Sequence, residues 1–411
     1  PTLFDQQRRE WIRCSPGVIA MKPSPATSDT CLTRRGLLKL CIATATALAM
    51  PASLGPVMAE VLATRKRRPV IWLSCQECTG CTESLTRADA PTLERLLFEL
   101  LSLDYHHTLQ AAAGEAAEMS RLRTMSEYRG EYLLVVDGSI PTGAGGGYST
   151  IAGVSNLDLL RECAATAAAV IAVGTCAAFG GLPMAAPNPT GARDVATLMR
   201  EGHIPARPLV NLPGCPPIPE IIAAVLLHFL VFERFPELDE LNRPRVSYGA
   251  TVHERCSRYH HFVEGRFAER FDDEGARRGW CLLRLGCRGP LTHNACPTLR
   301  WNQGTSYPVE AGHPCIGCSE PGFWDRGGFY QALHSEPAHP QTAASAAERG
   351  ATLFDDNCVY CHLPSRKPFR TAPAEIPELL RHGNVRSHRF SFTDAQLADL
   401  AEYLKTLEKQ P

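Results

Sequence analysis

The sequence is short of three things. Its 411 residues carry almost no net charge, because 42 Lys and Arg stand against 43 Asp and Glu, a formal −1. Nothing global therefore points to nucleic acid or to an anionic membrane surface. It also lacks a long uninterrupted apolar run. The stretch from Leu37 to Met58 is broken by Lys39 and Pro51 and diluted by alanines, while Ile221 to Val231 is short and contains His228. Neither suits a bilayer span, so no transmembrane anchor is expected. Finally, no methionine lies beyond Met199, an absence that matters at the C-terminus.

What it has in excess is cysteine, seventeen in all, many at short local spacings. A chain this long is a poor candidate for a small disulfide scaffold, so metal ligation is the better default. Length alone suggests two or three domains.

The N-terminal part reads as a targeting segment. Thr33-Arg34-Arg35-Gly36-Leu37-Leu38 is a twin-arginine core followed by an apolar run, and Val57-Met58-Ala59 is a small-residue cleavage pattern. Residues 1–59 are expected to be removed on export to the periplasm by the twin-arginine pathway, and they are set aside in reading the fold. Beyond them, Val70-Ile71-Trp72-Leu73, Tyr132 to Val136, Ala168 to Val173 and Pro208 to Val210 are short apolar runs with the character of buried strands. Helical patterns such as Thr92 to Leu103 and Pro219 to Phe232 lie between them. Alternation of this kind predicts an α/β fold with a doubly wound parallel sheet.

In such sheets the loops after the strands share one edge, where ligands bind. Here those loops carry Cys75 to Cys81, Asp137 to Pro141, Gly174-Thr175-Cys176 and Pro213-Gly214-Cys215-Pro216-Pro217. Cys78, Cys81, Cys176 and Cys215 should therefore converge although they are remote in sequence. Four thiolates suit an iron–sulfur cluster or zinc. Zinc ribbons, however, usually present two near pairs, and here the last two ligands are single.

From about Asn242 the periodicity fades. The segment is rich in Cys, His, Gly and Pro and needs a source of order other than apolar burial. His253, Cys256, Cys281 and Cys287 form one candidate set; Cys296, Cys315 and Cys318 form another. Pro337 to Ala347 has the composition of a linker. Past it, Cys358-Val359-Tyr360-Cys361-His362 is a haem c attachment signature, with two thioether cysteines and an axial histidine.

Taken together these motifs resemble nickel–iron hydrogenase small subunits. The resemblance rests on Cys78-Thr79-Gly80-Cys81-Thr82-Glu83, Gly174-Thr175-Cys176 through Gly181, Pro187-Asn188-Pro189-Thr190-Gly191 and Leu212-Pro213-Gly214-Cys215-Pro216-Pro217. It continues through Gly279-Trp280-Cys281, Gly286-Cys287-Arg288-Gly289-Pro290, Cys296-Pro297 and His313-Pro314-Cys315-Ile316-Gly317-Cys318 to Asp325, so it spans roughly residues 68–330. It implies a flavodoxin-like domain over 60–240 with a proximal 4Fe–4S cluster on Cys78, Cys81, Cys176 and Cys215. It implies an irregular cluster domain over 241–335. There a distal 4Fe–4S cluster would sit on His253, Cys256, Cys281 and Cys287, and a medial 3Fe–4S cluster on Cys296, Cys315 and Cys318, with Pro308 where a fourth medial cysteine would be needed.

Gly80 and Gly181 stand where oxygen-tolerant members carry extra cysteines. Cys163 reads as a buried small hydrophobe, and Cys75 is a spare thiol of open role. After a linker at 336–348, residues 349–411 resemble a small all-α class I cytochrome c. With no methionine to serve as sixth haem ligand, His388 is the first choice and His382 the second. The expected function is an electron relay from dihydrogen oxidation. The reaction would occur at a nickel–iron site on a separate large subunit, so no catalytic residue is expected here, and electrons would leave through the clusters and haem c to a soluble partner such as a cytochrome. The rivals are the iron–sulfur subunit of a quinone-reducing complex, a flavin- or nucleotide-binding module using Gly143 to Gly147, and a structural zinc protein.

Overall fold

The computed structural model describes residues 34–47, 51–327, 329–330, 345–358, 375–381 and 392–407. Two helices come first, α1 (Arg34–Ala47) and α2 (Gly55–Thr64). Pro51 lies in the connection between them, and Pro56 falls in the first turn of α2, where its missing N–H costs nothing. The pair approaches closely at Gly55, where a Cβ would lie 2.5 Å from Ile42 Cγ1. Leu37, Leu40, Cys41, Ala45 and Met58 are buried and join the main core. The segment expected to be discarded thus packs on the folded domain.

The sheet follows the sequence pattern. Its strands are β1 (Arg68–Ser74), β2 (Leu101–Tyr105), β3 (Leu133–Asp137), β4 (Ala169–Val173) and β5 (Leu209–Leu212). All pair in parallel in the order β2-β1-β3-β4-β5. Between and after them run α3 (Gly80–Thr86), α4 (Glu115–Glu127), α5 (Asn156–Ala164), α6 (Gly174–Phe179), α7 (Val195–Arg200) and α8 (Pro219–Phe232). Successive strand residues point to opposite faces, and the core divides accordingly. Val70, Trp72, Leu133, Val135 and Ile171 pack with α8 on one face. Ile71, Leu73, Leu134, Val136 and Val170 pack with α5 on the other. This is the doubly wound arrangement, in the flavodoxin strand order, with its crevice beyond the carboxyl ends of β1 and β3.

One element departs from expectation. The helical pattern over Thr92 to Leu103 ends early: short helical turns run from Leu93 to Leu100, and the chain enters edge strand β2 at Leu101 with no turn residue between.

Beyond α8 the chain is held by short turns such as Arg245–Tyr248 and Cys296–Leu299 and by a small core of Val252, Leu282, Leu285, Tyr307 and Val309. A buried ion pair fastens this segment: Arg243 donates to Asp239 at 2.8 Å and to Glu320 at 3.1 Å. The C-terminal helices are α9 (Ala346–Asn357), α10 (Ile376–Arg381) and α11 (Asp394–Leu407), sharing Phe354, Leu380, Leu397, Leu400 and Leu404. Gly350 lies so near α11 that a Cβ would reach the backbone of Asp399. Among the described residues no helix is long and apolar enough to cross a membrane.

Candidate metal centres

The first thiol set forms at the carboxyl edge of the sheet. After β1, a bridge between Gln76 and Ser139 pins the loop to β3, and Thr79 turns the chain with a positive φ of 64° into α3. Cys78 and Cys81 flank this turn. β4 runs through Gly174, at φ +86°, into α6 and Cys176; β5 runs through Gly214 to Cys215. Glycine is required where sulfur approaches backbone: a Cβ on Gly174 would lie 2.4 Å from Cys81 Sγ, and one on Gly181 2.5 Å from Cys176 Sγ.

The four thiols sense one another. Burial pushes Cys81 well up, and nearby Asp137, Cys176 and Cys215 push it further. Burial raises Cys176 to about 12, with Cys215, Asp137 and Cys78 adding to it, and Cys215 rises through burial and Cys78. Thiols raised in this way stay protonated unless a bound cation supplies the charge that deprotonates them. Asp137, at the end of β3, is 1% exposed and pushed up to about 7 by burial, and its Oδ2 has no hydrogen-bond partner among the described residues. The sequence motifs do not mark Asp137 as a site residue. The signal that could have found it is a carboxylate ending a wholly apolar strand.

The second set is gathered by the irregular segment. His253, Cys256, Cys281 and Cys287 line one cavity together with Val252, Leu282 and Pro290. Burial lowers the His253 imidazole to about 4, keeping it neutral as a metal ligand must be. Its ring stands edge-on to Phe262 at 4.6 Å and Tyr259 at 5.0 Å. Burial and Cys256 leave Cys281 at about 11 despite an opposing backbone hydrogen bond.

In the third set, burial and then Cys315 raise Cys296 to about 12, and burial with Cys296 and Cys315 raises Cys318. The sets touch. Cys315 N–H donates to Cys287 Sγ at 3.3 Å, and Thr175 Oγ1, next to Cys176 of the first set, donates to the carbonyl of Cys318. Among the described residues no three such side chains are drawn in to the spacing of a single bound ion. Tetrahedral zinc would hold its sulfurs about 3.8 Å apart.

The remaining expectations fall as follows. Cys75 donates its N–H to Asp137 O at 2.7 Å; its thiol is pushed up by burial and then by Asp137, and its side chain packs on the core that holds Cys163. Cys163 is fully buried, with Sγ 3.6 Å from Arg121 Nη1. The glycine loop 143–147 is not an open phosphate cradle: Gly143 N–H is bonded to Thr190 O and Gly147 N–H to Ala144 O. Cys358 closes α9, its N–H donating to Phe354 O at 2.7 Å. Cys361, His362, His382 and His388 lie outside the described residues.

Comparisons with known proteins agree with this geometry. Residues 248–331 match the family described as the C-terminal part of the NiFe/NiFeSe hydrogenase small subunit. Residues 78–229 match the NADH ubiquinone oxidoreductase 20 Kd subunit family. The chain is 45% identical over 306 residues to the uptake hydrogenase small subunit of Azotobacter vinelandii, covering 74% of this chain and 84% of that one. It is 42% identical over 306 residues to the hydrogenase-1 small chain of Escherichia coli K12, covering 74% and 81%. Among solved structures it is similar to the [NiFeSe]-hydrogenase of Dm. baculatum, with a TM-score of 0.61, 36% identity, and coverage of 65% of this chain and 100% of that one.

Proposed function

Because the chain belongs to the nickel–iron hydrogenase small-subunit family, we propose that its three thiol sets hold three iron–sulfur clusters in series. It works as the electron-transfer subunit of a hydrogenase whose catalytic centre lies on the large subunit. The proximal 4Fe–4S cluster is assigned to Cys78, Cys81, Cys176 and Cys215, the medial 3Fe–4S cluster to Cys296, Cys315 and Cys318, and the distal 4Fe–4S cluster to His253, Cys256, Cys281 and Cys287. Such clusters supply one-electron carriers whose potentials follow burial and hydrogen bonds to sulfur.

The observation that carries this order is the contact between neighbouring sets. Thr175 Oγ1 bridges Gly214 N–H and the Cys318 carbonyl, and Cys315 N–H reaches Cys287 Sγ, so each set abuts the next. The glycines that admit sulfur, and the single, remote third and fourth ligands of the first set, also favour clusters over zinc. The chain's own residues bury Cys81, Cys281 and Cys287 and keep His253 neutral.

The C-terminal unit is proposed to carry haem c on Cys358, Cys361 and His362, with His388 as sixth ligand, and to pass electrons to a soluble cytochrome. The twin-arginine segment is proposed to direct the protein to the periplasm. The quinone-complex reading draws on the match over residues 78–229 alone and leaves 248–331 without a role.

The test is co-expression with a large subunit, followed by iron, acid-labile sulfide and haem analysis of the purified complex. Hydrogen uptake with an artificial acceptor should require both chains. Uptake by this chain alone, or a complex without iron, would refute the proposal.

A further inference from the structure

Three ligand loops meet at one hydroxyl. Thr175, 1% exposed, sits between Gly174 and Cys176. Its N–H donates to Gly214 O at 2.9 Å, and its Oγ1 accepts from Gly214 N–H at 2.9 Å. The same hydroxyl donates its proton to the carbonyl of Cys318, 143 residues away. One side chain therefore ties the loop of Cys176 to that of Cys215 and both to that of Cys318. From behind, Tyr248 O–H donates to Pro213 O at 2.8 Å, holding the Cys215 loop from the other side.

Thr175 ligates nothing and has no charge to transfer. What it can control is register. The Cys318 carbonyl and sulfur belong to one residue, so fixing the carbonyl fixes where the sulfur sits against the Cys215 loop. The potential of a cluster follows the burial and the polar contacts of its sulfurs. We propose that Thr175 is a positioning residue of the relay, registering the Cys318 loop on the Cys215 loop and thereby setting the medial potential and the proximal-to-medial gap. The inference rests on the cluster assignment above. In the step it serves, one electron leaves the proximal cluster, which is oxidised, and reaches the medial cluster, which is reduced. No bond forms or breaks at Thr175, and its proton stays on Oγ1.

The test compares Thr175→Val, which keeps the shape and loses the hydroxyl, with Thr175→Ser, which keeps the hydroxyl. Both are made in the complex with the large subunit. Iron is counted first, and the medial midpoint potential is then read by EPR-monitored redox titration. The expected result is a displaced medial potential in Thr175→Val, with Thr175→Ser at the wild-type value. Loss of medial iron from Thr175→Val but not from Thr175→Ser has the same meaning. A full iron complement with an unmoved potential in Thr175→Val overturns the proposal, as does equal displacement or equal iron loss in both variants. A wild-type complex with no cluster signal instead overturns the cluster assignment, and this inference with it.

Discussion

Gly174→Ala should empty the proximal site while leaving the fold standing. Two costs are combined in it and can be separated. The first is backbone strain: at φ +86° an L-residue costs about 1–2 kcal/mol. The second is steric. The added Cβ would lie 2.4 Å from Cys81 Sγ, an ångström short of the 3.4 Å at which ordinary contact begins. Cys81 has little room to yield. It lies in the first turn of α3, closed by Glu83 N–H to Thr79 O at 2.9 Å, and Ser84 Oγ ties that helix to Pro217 O at 2.6 Å. A metal–thiolate bond is about 2.3 Å long, so a sulfur displaced by about an ångström no longer ligates. The control is Gly202→Ala, where φ is +75° and nothing lies within 4 Å of the new methyl group. Both variants should bear the backbone strain, about 1–2 kcal/mol, and Gly174→Ala the steric cost in addition, so Gly202→Ala isolates the strain. Only Gly174→Ala should lose iron, about four atoms per chain if a whole 4Fe–4S cluster goes. Iron and sulfide counts, with EPR of the reduced complex, decide the matter. Full iron and an unaltered proximal spectrum in Gly174→Ala would refute the reasoning.

Arg243→Met leaves Asp239 and Glu320 buried without their arginine, a loss of about 3–5 kcal/mol; thermal melting should fall by roughly 6–20 °C, and an unchanged melting temperature would contradict the role given to the pair. His106 is 2% exposed, accepts from Thr108 N–H at 3.1 Å and is lowered to about 4 by burial. Its contribution is therefore complete above the unfolded value near 6.5 and is lost as pH falls toward 4, roughly 3 kcal/mol in all. His106→Asn should flatten the acid limb of the stability–pH curve, and parallel curves would refute this. Cys75→Ala should leave the iron content of the complex unchanged, because the Cys75 side chain packs on the core that holds Cys163. For the proposed haem, His388→Ala should convert a low-spin bis-histidine spectrum into a high-spin one. Survival of the low-spin signal, with its loss in His382→Ala, would move the ligand to His382.

The parts legible in the sequence are those set by local pattern. β1, β3, β4 and β5 stand out as apolar runs, and α8 as a helical one matching Pro219–Phe232. The topology then brings Cys78, Cys81, Cys176 and Cys215 to one edge. β2 escapes because Leu101-Ser102-Leu103-Asp104-Tyr105 is a half-buried edge strand joined directly to helical turns, so its alternation is swallowed by the preceding period. The grouping of His253 with Cys256, Cys281 and Cys287 rests on a density of ligand-type residues in a segment of little periodicity, and one cavity gathers the four. Thr175, Asp137 and Arg243 stay hidden for another reason. Their partners are set by the tertiary fold, and a threonine bonded to a carbonyl 143 residues away looks like any other threonine.

If the proposed leader is removed, the packing of α1 and α2 on the domain imposes an order on that step. Val57 is exposed, but Met58 beside it is completely buried within a helix. A peptidase needs an extended strand in its cleft, so a cut at Val57-Met58-Ala59 would require α2 to unwind and Met58 to leave the core first. Leu37, Leu40 and Cys41 hold α1 against the domain that Met58 would be leaving. Processing at this bond would thus be gated by a local opening, and its rate would report how firmly the proposed leader is docked rather than how well the peptidase recognises it.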